Sequence, residues 1–181
     1  MIKKEEIVTQ DLLSKYRNDY NEEVDDNVNE LLKRINIIRA LYGKPMTLSS
    51  GWRPSEYNKS IGGAPNSNHC KGLALDVKDT DGEFKKFVTS NLYKFSLLGL
   101  YMEQFSWTPT WVHIQIVPPA SGARFFEARG DKLPPQPHLQ VIYNSGFNRD
   151  AFIKTNKEKI EKINTLLQSS DTDAILKLIK E

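Results

Sequence analysis

The sequence predicts an α+β protein in which helices pack on a small antiparallel sheet. Apolar residues recur every three or four positions within residues 24–42 and again within residues 83–98, and this period predicts two amphipathic helices. The strands are predicted by short apolar segments, above all Leu100–Phe105 and Trp111–Val117, which form a hairpin around Pro109. The length of 181 residues suits one domain with a substantial core.

Residues 1–44 are predicted to be an N-terminal helical segment that packs on the core. The apolar stripe predicts helix across residues 9–42, and Gly43 and Pro45 end it. The first apolar residues can instead belong to a separate short helix, because acidic residues at 22–26 suit the start of a new helix. This segment is assigned a packing role and no chemistry.

Residues 45–126 are predicted to be the core of the protein. Proline is tolerated in the first turn of a helix, so Pro54 can begin a short helix after the first strand. A loop rich in glycine, proline, asparagine and serine then separates this helix from the second strand. In chain order the predicted elements are strand Met46–Arg53, helix Pro54–Ser60, loop 61–68, strand Leu73–Val77, turn Asp79–Gly82, helix Glu83–Leu98 and the hairpin.

Residues 127–181 are predicted to form an extended proline-rich segment followed by C-terminal helices. The segment contains His138, the third histidine of the chain, which a surface loop accounts for most simply. Amphipathic spacing then predicts helices at Ala151–Leu167 and Thr172–Lys180, which pack on the domain or serve as a docking arm.

Two of the three histidines, together with one aspartate, fall where a metal site would need them. His69 lies in a polar turn before the strand that contains Asp76, and His113 lies on the second strand of the hairpin. A buried, unpaired aspartate costs several kcal/mol, which a bound dication removes. If the two strands are neighbours, Asp76 and His113 point to the same side. The set predicts a Zn²⁺ site whose fourth tetrahedral position is open to water or substrate.

Each histidine taken alone has a simpler interpretation, because a single strand histidine is more often a hydrogen-bonded core or surface residue. The metal hypothesis depends on the conjunction of His69, Asp76 and His113. Cys70 follows His69 directly and is a second candidate ligand, since a thiolate also binds zinc. A small buried side chain is the alternative interpretation of Cys70.

The motif Ser67-x-His69-x-x-Gly72-x-Ala74-x-Asp76, followed by Trp111-x-His113, resembles the M15 family of zinc D-Ala-D-Ala peptidases. That family includes phage endolysins and VanX-type dipeptidases and has a Hedgehog-like fold. The resemblance covers residues 45–126, favours His69 over Cys70 as a ligand, and implies that the small sheet carries the zinc site. The upstream Ser50-Gly51-Trp52-Arg53 resembles the family element whose arginine faces the substrate, which implies substrate-binding roles for Arg53 and Ser67.

The resemblance implies a zinc metallopeptidase that hydrolyses peptidoglycan stem peptides. In many M15 enzymes an acidic residue stands three positions before the second histidine, but here that position is Thr110, which cannot act as a base. Glu103, on the preceding strand of the hairpin, is the candidate catalytic base, because cross-strand neighbours share a face. A solvent-facing glutamate is the alternative, and it would leave a catalytically inactive structural or binding protein of a virion.

Composition and charge exclude several other classes. A net charge of +2 indicates no extended basic surface for nucleic acid, and one cysteine excludes an intramolecular disulfide. No apolar segment follows the N-terminus and no run approaches the ~20 residues of a membrane span, so neither a signal peptide nor a span is expected. The expected location is the cytoplasm of the producing cell or a virion, with peptidoglycan peptide as substrate and other virion proteins as partners.

Overall fold

The α+β prediction is confirmed by a computed structural model that describes residues 1–119, 125–126 and 149–181. The sheet contains five short strands, and helices cover one of its faces. The strands are β1 (Leu48–Ser50), β2 (Ala74–Lys78), β3 (Tyr101–Glu103), β4 (Trp111–Gln115) and β5 (Phe125–Phe126). The helices are α1 (Lys4–Ile7), α2 (Gln10–Lys15), α3 (Glu22–Tyr42), α4 (Ser55–Ser60), α5 (Glu83–Ser90), α6 (Leu92–Leu97), α7 (Arg149–Thr155), α8 (Lys157–Gln168) and α9 (Thr172–Lys180).

The strand order is β1-β2-β4-β3-β5, so β4 lies between two strands that precede it in the chain. β1, β2, β4 and β3 pair antiparallel, and the two-residue β5 pairs parallel with β3. Because strand side chains alternate, Leu75, Val77, Val112 and Ile114 leave one face of the sheet and are buried in the core. The opposite face carries the polar side chains of Asp76, His113 and Gln115.

α3 is the central helix of the core. Its N-cap is Asn21, whose side chain accepts the Val24 backbone N–H at 2.9 Å, and Gly43 ends it in a left-handed conformation. One face of α3 is fully buried through Val28, Leu31, Ile35 and Ile38. The N-terminal α1 packs against α3, as do the C-terminal α8 and α9. The C-terminal helices therefore complete the same core, through Ile163, Leu167, Ile175 and Ile179.

Two helices that the apolar period predicts as continuous are each broken at an asparagine. The predicted helix 83–98 is divided into α5 and α6 at Asn91, and the predicted helix 151–167 is divided at Asn156. In both cases the side-chain amide donates to the carbonyl oxygen four residues earlier, at 2.8 Å to Phe87 and 3.0 Å to Phe152. An asparagine side chain that competes for backbone hydrogen bonds in this way favours a helix end.

The predicted strands lie at the right places, and apart from Leu73–Val77, which is shifted by one residue from β2, they are longer than the observed ones. Met46–Arg53 retains only the three residues of β1, and Leu100–Phe105 only the three of β3. The first apolar residues of the N-terminal segment form α1 and α2, separate from α3. The proline-rich segment and His138 lie outside the described residues. None of the described helices is long and apolar enough to cross a membrane.

Candidate metal centre and active-site cleft

The sheet brings three candidate site residues to one face. β2 and β4 pair with Asp76 directly opposite His113, so both side chains project from the same side. On the other side of β4, Tyr101 pairs with Gln115 and Met102 with Ile114. Continuing this register by one residue places Glu103 level with His113.

The third residue, His69, is presented by a 3-10 turn at Asn68–Lys71. Ser67 stabilises this turn, because its Oγ accepts the His69 backbone N–H at 3.3 Å. Gly72 ends the turn with φ +70°, and a Cβ there would lie 2.8 Å from the Val24 carbonyl oxygen on α3. Only glycine combines this backbone conformation with so close a contact. The turn that carries His69 therefore packs directly against α3.

The side chains of His69, Asp76 and His113 converge on one point. His113 Nδ1 lies 2.9 Å from Asp76 Oδ1, His69 Nε2 lies 3.2 Å from His113 Nδ1, and His69 Nε2 lies 3.4 Å from Asp76 Oδ1. A tetrahedral zinc ion with bonds of about 2.0–2.1 Å separates its ligand atoms by about 3.3 Å. The triangle of donor atoms thus has the dimensions that zinc requires, and it is the group of metal-ligating residues found in the described part of the chain.

The second nitrogen of each ring contacts an oxygen outside the triangle. His69 Nδ1 lies 2.7 Å from the Gly51 carbonyl oxygen, which can only accept, so Nδ1 carries the hydrogen and Nε2 presents its lone pair to Asp76 and His113. His113 Nε2 lies 3.2 Å from Gln115 Oε1. Metal-ligating histidines almost always use their other ring nitrogen in this way.

The site is buried, and burial sets its electrostatics. All three residues are at most 9% exposed. Burial lowers the pKa of His69, which keeps this ring neutral. Burial alone would raise the pKa of Asp76 and lower that of His113. Their mutual hydrogen bond and opposite charges outweigh it, so the pKa of Asp76 lies below and that of His113 above its ordinary value.

A cleft of about 1040 Å³ opens onto this triangle. Its walls come from the loop at residues 61–68, from the start of the β3–β4 connection, and from the residues that follow β4. Two tryptophans, Trp107 and Trp111, line it together with Arg53 and Glu103. A substrate that enters this cleft meets charged, aromatic and metal-ligating groups within one cavity.

The other predicted site residues occupy the same cleft. Arg53 Nη2 lies 3.5 Å from Ser67 Oγ, and among the described residues no carboxylate forms an ion pair with Arg53. Glu103 is half-buried and lines the cleft. Burial lowers the pKa of His113, Asp76 and the Gln115 hydrogen bond raise it, and the charge of Glu103 adds a smaller rise. Thr110 is exposed, and its carbonyl accepts the Asp79 N–H.

Cys70 is half-buried, which is more exposed than the small buried side chain of the alternative interpretation. Burial raises the pKa of its thiol, and within the described structure its sulfur is not part of the group of candidate ligands. The thiolate alternative for the ligand set therefore has no geometric support.

Sequence reasoning missed two residues that contact the histidines. The Gly51 carbonyl accepts from His69, and the backbone of Ile7 on α1 approaches so closely that a Cβ on Gly51 would lie 2.2 Å from the Ile7 carbonyl oxygen. Gln115 contacts His113 from the same strand face, a position that the alternation of β4 gives without any structure. Nothing in the sequence marks the contact between Gly51 and Ile7.

The fold is α+β, and the protein presents two histidines and an aspartate to a cleft. These features define the class of candidate metal-dependent hydrolases. The family model described as peptidase M15 matches residues 4–115, which is more than half of the 181-residue chain. The chain belongs to the M15 peptidase family, and this membership indicates a peptidase. The match begins in α1, well before the motifs, and includes the whole metal triangle. No curated protein and no solved structure matches the chain.

Proposed function

We propose that this protein is a zinc-dependent peptidase, a carboxypeptidase or an endopeptidase, that hydrolyses peptidoglycan stem peptides. The observation that carries the proposal is the convergence of His69, Asp76 and His113 within 3.4 Å of one another at the base of a cleft. Membership of a peptidase family supports the reaction. The resemblance of the motifs to D-Ala-D-Ala peptidases supports the substrate class.

His69 Nε2, Asp76 Oδ1 and His113 Nδ1 are the atoms that would hold zinc. Their separations of 2.9–3.4 Å fit a tetrahedral ion, and their two nitrogens and one carboxylate oxygen are ligands that zinc prefers. When bound, zinc supplies Lewis acidity that polarises a carbonyl group and acidifies water.

Glu103 is the residue that moves the proton in this proposal. Its carboxylate lines the cleft on the strand beside His113, within the face of the sheet that carries the triangle. A carboxylate in this place takes a proton from the attacking water and returns it to the nitrogen of the leaving amine. The water oxygen bonds to the carbonyl carbon, the C–N bond breaks, and the transferred proton neutralises the leaving nitrogen.

Arg53 binds the carboxylate of the substrate in this proposal. Its guanidinium lines the cleft and has no carboxylate partner among the described residues, so its charge is available to a ligand. The fork of donors on arginine matches a carboxylate in a bidentate pair. Ser67, whose Oγ lies 3.5 Å from Arg53 Nη2, holds the same wall of the cleft.

The implied setting is digestion of a bacterial cell wall by a bacteriophage lysis enzyme or virion-associated protein, with other virion proteins as partners. A catalytically inactive M15-fold protein of a virion, with a structural or binding role, is the second candidate. Thr110 favours it, because this residue replaces the acidic side chain found at the corresponding position of many M15 enzymes.

The proposal is tested by metal content and peptidoglycan hydrolysis measured on the same purified samples. We expect about one zinc per chain in the wild type and in Cys70→Ser, the control for the neighbouring thiol. His113→Ala removes one donor, so zinc and hydrolysis are lost together. Glu103→Gln retains zinc and loses about 10²- to 10⁴-fold in rate, because it removes only the base.

The other outcomes separate the alternatives. Zinc without hydrolysis in the wild type would favour the virion structural or binding role. Full activity in Glu103→Gln would remove Glu103 from the mechanism and leave the ligand assignment intact. No zinc in any sample would contradict the metal centre itself. Mass analysis of the products distinguishes loss of a terminal D-alanine from cleavage within the stem peptide.

A further inference from the structure

We infer that Gln115 is a positioning residue that holds the His113 ring with Nδ1 turned toward Asp76 and His69. The inference rests on the proposed function, in which Nδ1 is the metal-ligating atom of His113. It concerns a side chain that touches no other member of the triangle and that the motifs do not include. Three hydrogen bonds around the Gln115 amide carry it.

The first hydrogen bond fixes which way the Gln115 amide faces. Gln115 Nε2 lies 2.6 Å from the Val117 carbonyl oxygen. A backbone carbonyl can only accept, so the amide nitrogen must be the atom that faces Val117. A rotation of the amide by half a turn would place two oxygens in contact. Val117 therefore directs the oxygen of Gln115, and not its nitrogen, toward His113.

The second hydrogen bond determines which ring nitrogen of His113 carries a hydrogen. Gln115 Oε1 lies 3.2 Å from His113 Nε2, and an amide oxygen cannot donate. The contact is favourable only when Nε2 carries a hydrogen. In the neutral ring that binds a metal, Nδ1 is then the nitrogen with the lone pair, and it faces the triangle, 2.9 Å from Asp76 Oδ1 and 3.2 Å from His69 Nε2.

The third hydrogen bond reinforces the orientation of the amide. Asn68 Nδ2 donates to the same Gln115 Oε1 at 3.0 Å, across the cleft wall that also carries His69. Gln115 is 4% exposed and His113 is 9% exposed, so bulk water does not replace these partners freely. The amide thus links the His69 turn to the strand that carries His113.

The two histidines differ in what a mutation can remove. His69 is oriented by the Gly51 backbone carbonyl, and no substitution at position 51 removes this carbonyl. His113 is oriented by a side chain, so the contact can be deleted without changing any proposed ligand. This difference makes the inference testable by substitution at one position.

The test compares wild type with Gln115→Met, Gln115→Glu and Gln168→Met. Methionine has similar length but no acceptor for the ring N–H, glutamate retains an acceptor oxygen, and Gln168 is an exposed residue of α8 that serves as the matched control. Two quantities are measured: Zn²⁺ affinity by competition with a chelator, and the protonation of His113 Nε2 in the metal-free protein by ¹H–¹⁵N NMR of labelled histidine. Circular dichroism confirms that each variant is folded.

We expect Nε2 of His113 to be protonated in the wild type and in Gln168→Met, and to lose this proton in part in Gln115→Met. Zn²⁺ affinity falls about 10- to 100-fold in Gln115→Met, the usual effect of removing such a partner. Gln115→Glu keeps Nε2 of His113 protonated, because a carboxylate oxygen still accepts from the ring. Its second oxygen cannot donate to Val117, so its Zn²⁺ affinity lies between that of Gln115→Met and that of the wild type.

An unprotonated Nε2 in the wild type would overturn the inference, whether or not any variant folds. Gln115→Met with unchanged affinity and unchanged Nε2 protonation would overturn it as well. A wild type that binds no Zn²⁺ but shows a protonated Nε2 that Gln115→Met loses would contradict the proposed function, while the orienting role of Gln115 would stand. The NMR readout therefore separates failure of the inference from failure of the proposed function.

Discussion

At the scale of single residues, the site consists of acceptors and donors whose roles are set by their immediate neighbours. Arg53 is the exception, because within the described structure it lines the cleft without a carboxylate partner. Its Nε is buried and makes no hydrogen bond to any residue that the structure describes. A buried donor without a partner is costly unless a ligand supplies one. Arg53 is therefore the residue through which we expect the substrate to be recognised.

We expect Arg53→Ala to weaken binding of substrates that end in a free carboxylate. A hydrogen bond to a charged group contributes about 1.5–3 kcal/mol, so KM rises about 10- to 100-fold for the free acid and changes little for the C-terminal amide of the same peptide. Lys59→Ala, an exposed cation on α4, is the control. An equal loss on acid and amide would show that Arg53 does not bind the terminal carboxylate.

At the scale of elements, the His69 turn depends on α3. Gly72 ends the turn against Val24 and Val28, and Asn27 Nδ2 of the same helix donates to the Lys71 carbonyl at 2.9 Å. The turn is thus seated on a helix that contributes no ligand. Displacement of the turn would move His69 away from the two strand residues of the triangle.

Gly72→Ala is expected to destabilise the protein more than Gly43→Ala. Both glycines have nearly the same φ, +70° and +72°, so both substitutions carry the left-handed penalty of about 1–2 kcal/mol. At Gly43 the new methyl group meets nothing within 4 Å, whereas at Gly72 it meets α3 at 2.8 Å. Urea unfolding measures the difference in free energy of unfolding.

Zn²⁺ affinity measured on the same two variants should fall only in Gly72→Ala. If both variants lose the same stability and bind Zn²⁺ equally well, the contact with α3 does not position His69. A loss of affinity in Gly43→Ala would indicate a general loss of structure, because Gly43 lies at the far end of α3 from this turn.

At the scale of the whole molecule, the C-terminal helices belong to the core although the family match ends at residue 115. Ile163 and Leu167 of α8 and Ile175 and Ile179 of α9 are at most 3% exposed and pack with residues of α3. The described residues of these helices therefore pack on the domain, which is one of the two alternatives that the sequence leaves open. The core of the described structure extends beyond the residues that the family model matches.

Ile175→Ala should therefore lower the stability of the entire domain. Removing a buried isoleucine side chain to alanine costs about 2–5 kcal/mol, and each kcal/mol lowers Tm by about 2–4 °C for a chain of this size. Lys177→Ala, at an exposed position of the same helix, is the control. Calorimetry should give one transition at lower temperature, and a separate early transition of the C-terminal helices alone would contradict a shared core.

The sequence was sufficient for the parts of the site that local patterns encode. The convergence of His69, Asp76 and His113 follows from motif spacing and strand alternation. The breaks at Asn91 and Asn156 escaped prediction because an apolar stripe continues across them. Two contacts, of Gly72 with α3 and of Gly51 with Ile7, join residues more than 40 positions apart in the sequence. The local spacing of apolar residues carries no information about such contacts.

The central place of β4 has a consequence for how the protein is made. β2 and β3 precede β4 in the chain but do not pair with each other, because β4 lies between them in the sheet. The pairing of β4 with β2 places His113 opposite Asp76. β3 and β4 form a local hairpin, whereas β2 and β4 are distant in the sequence, and pairings between distant segments form slowly. A nascent chain in which β4 has not yet paired therefore also lacks the metal-binding triangle. The site forms when the sheet is completed.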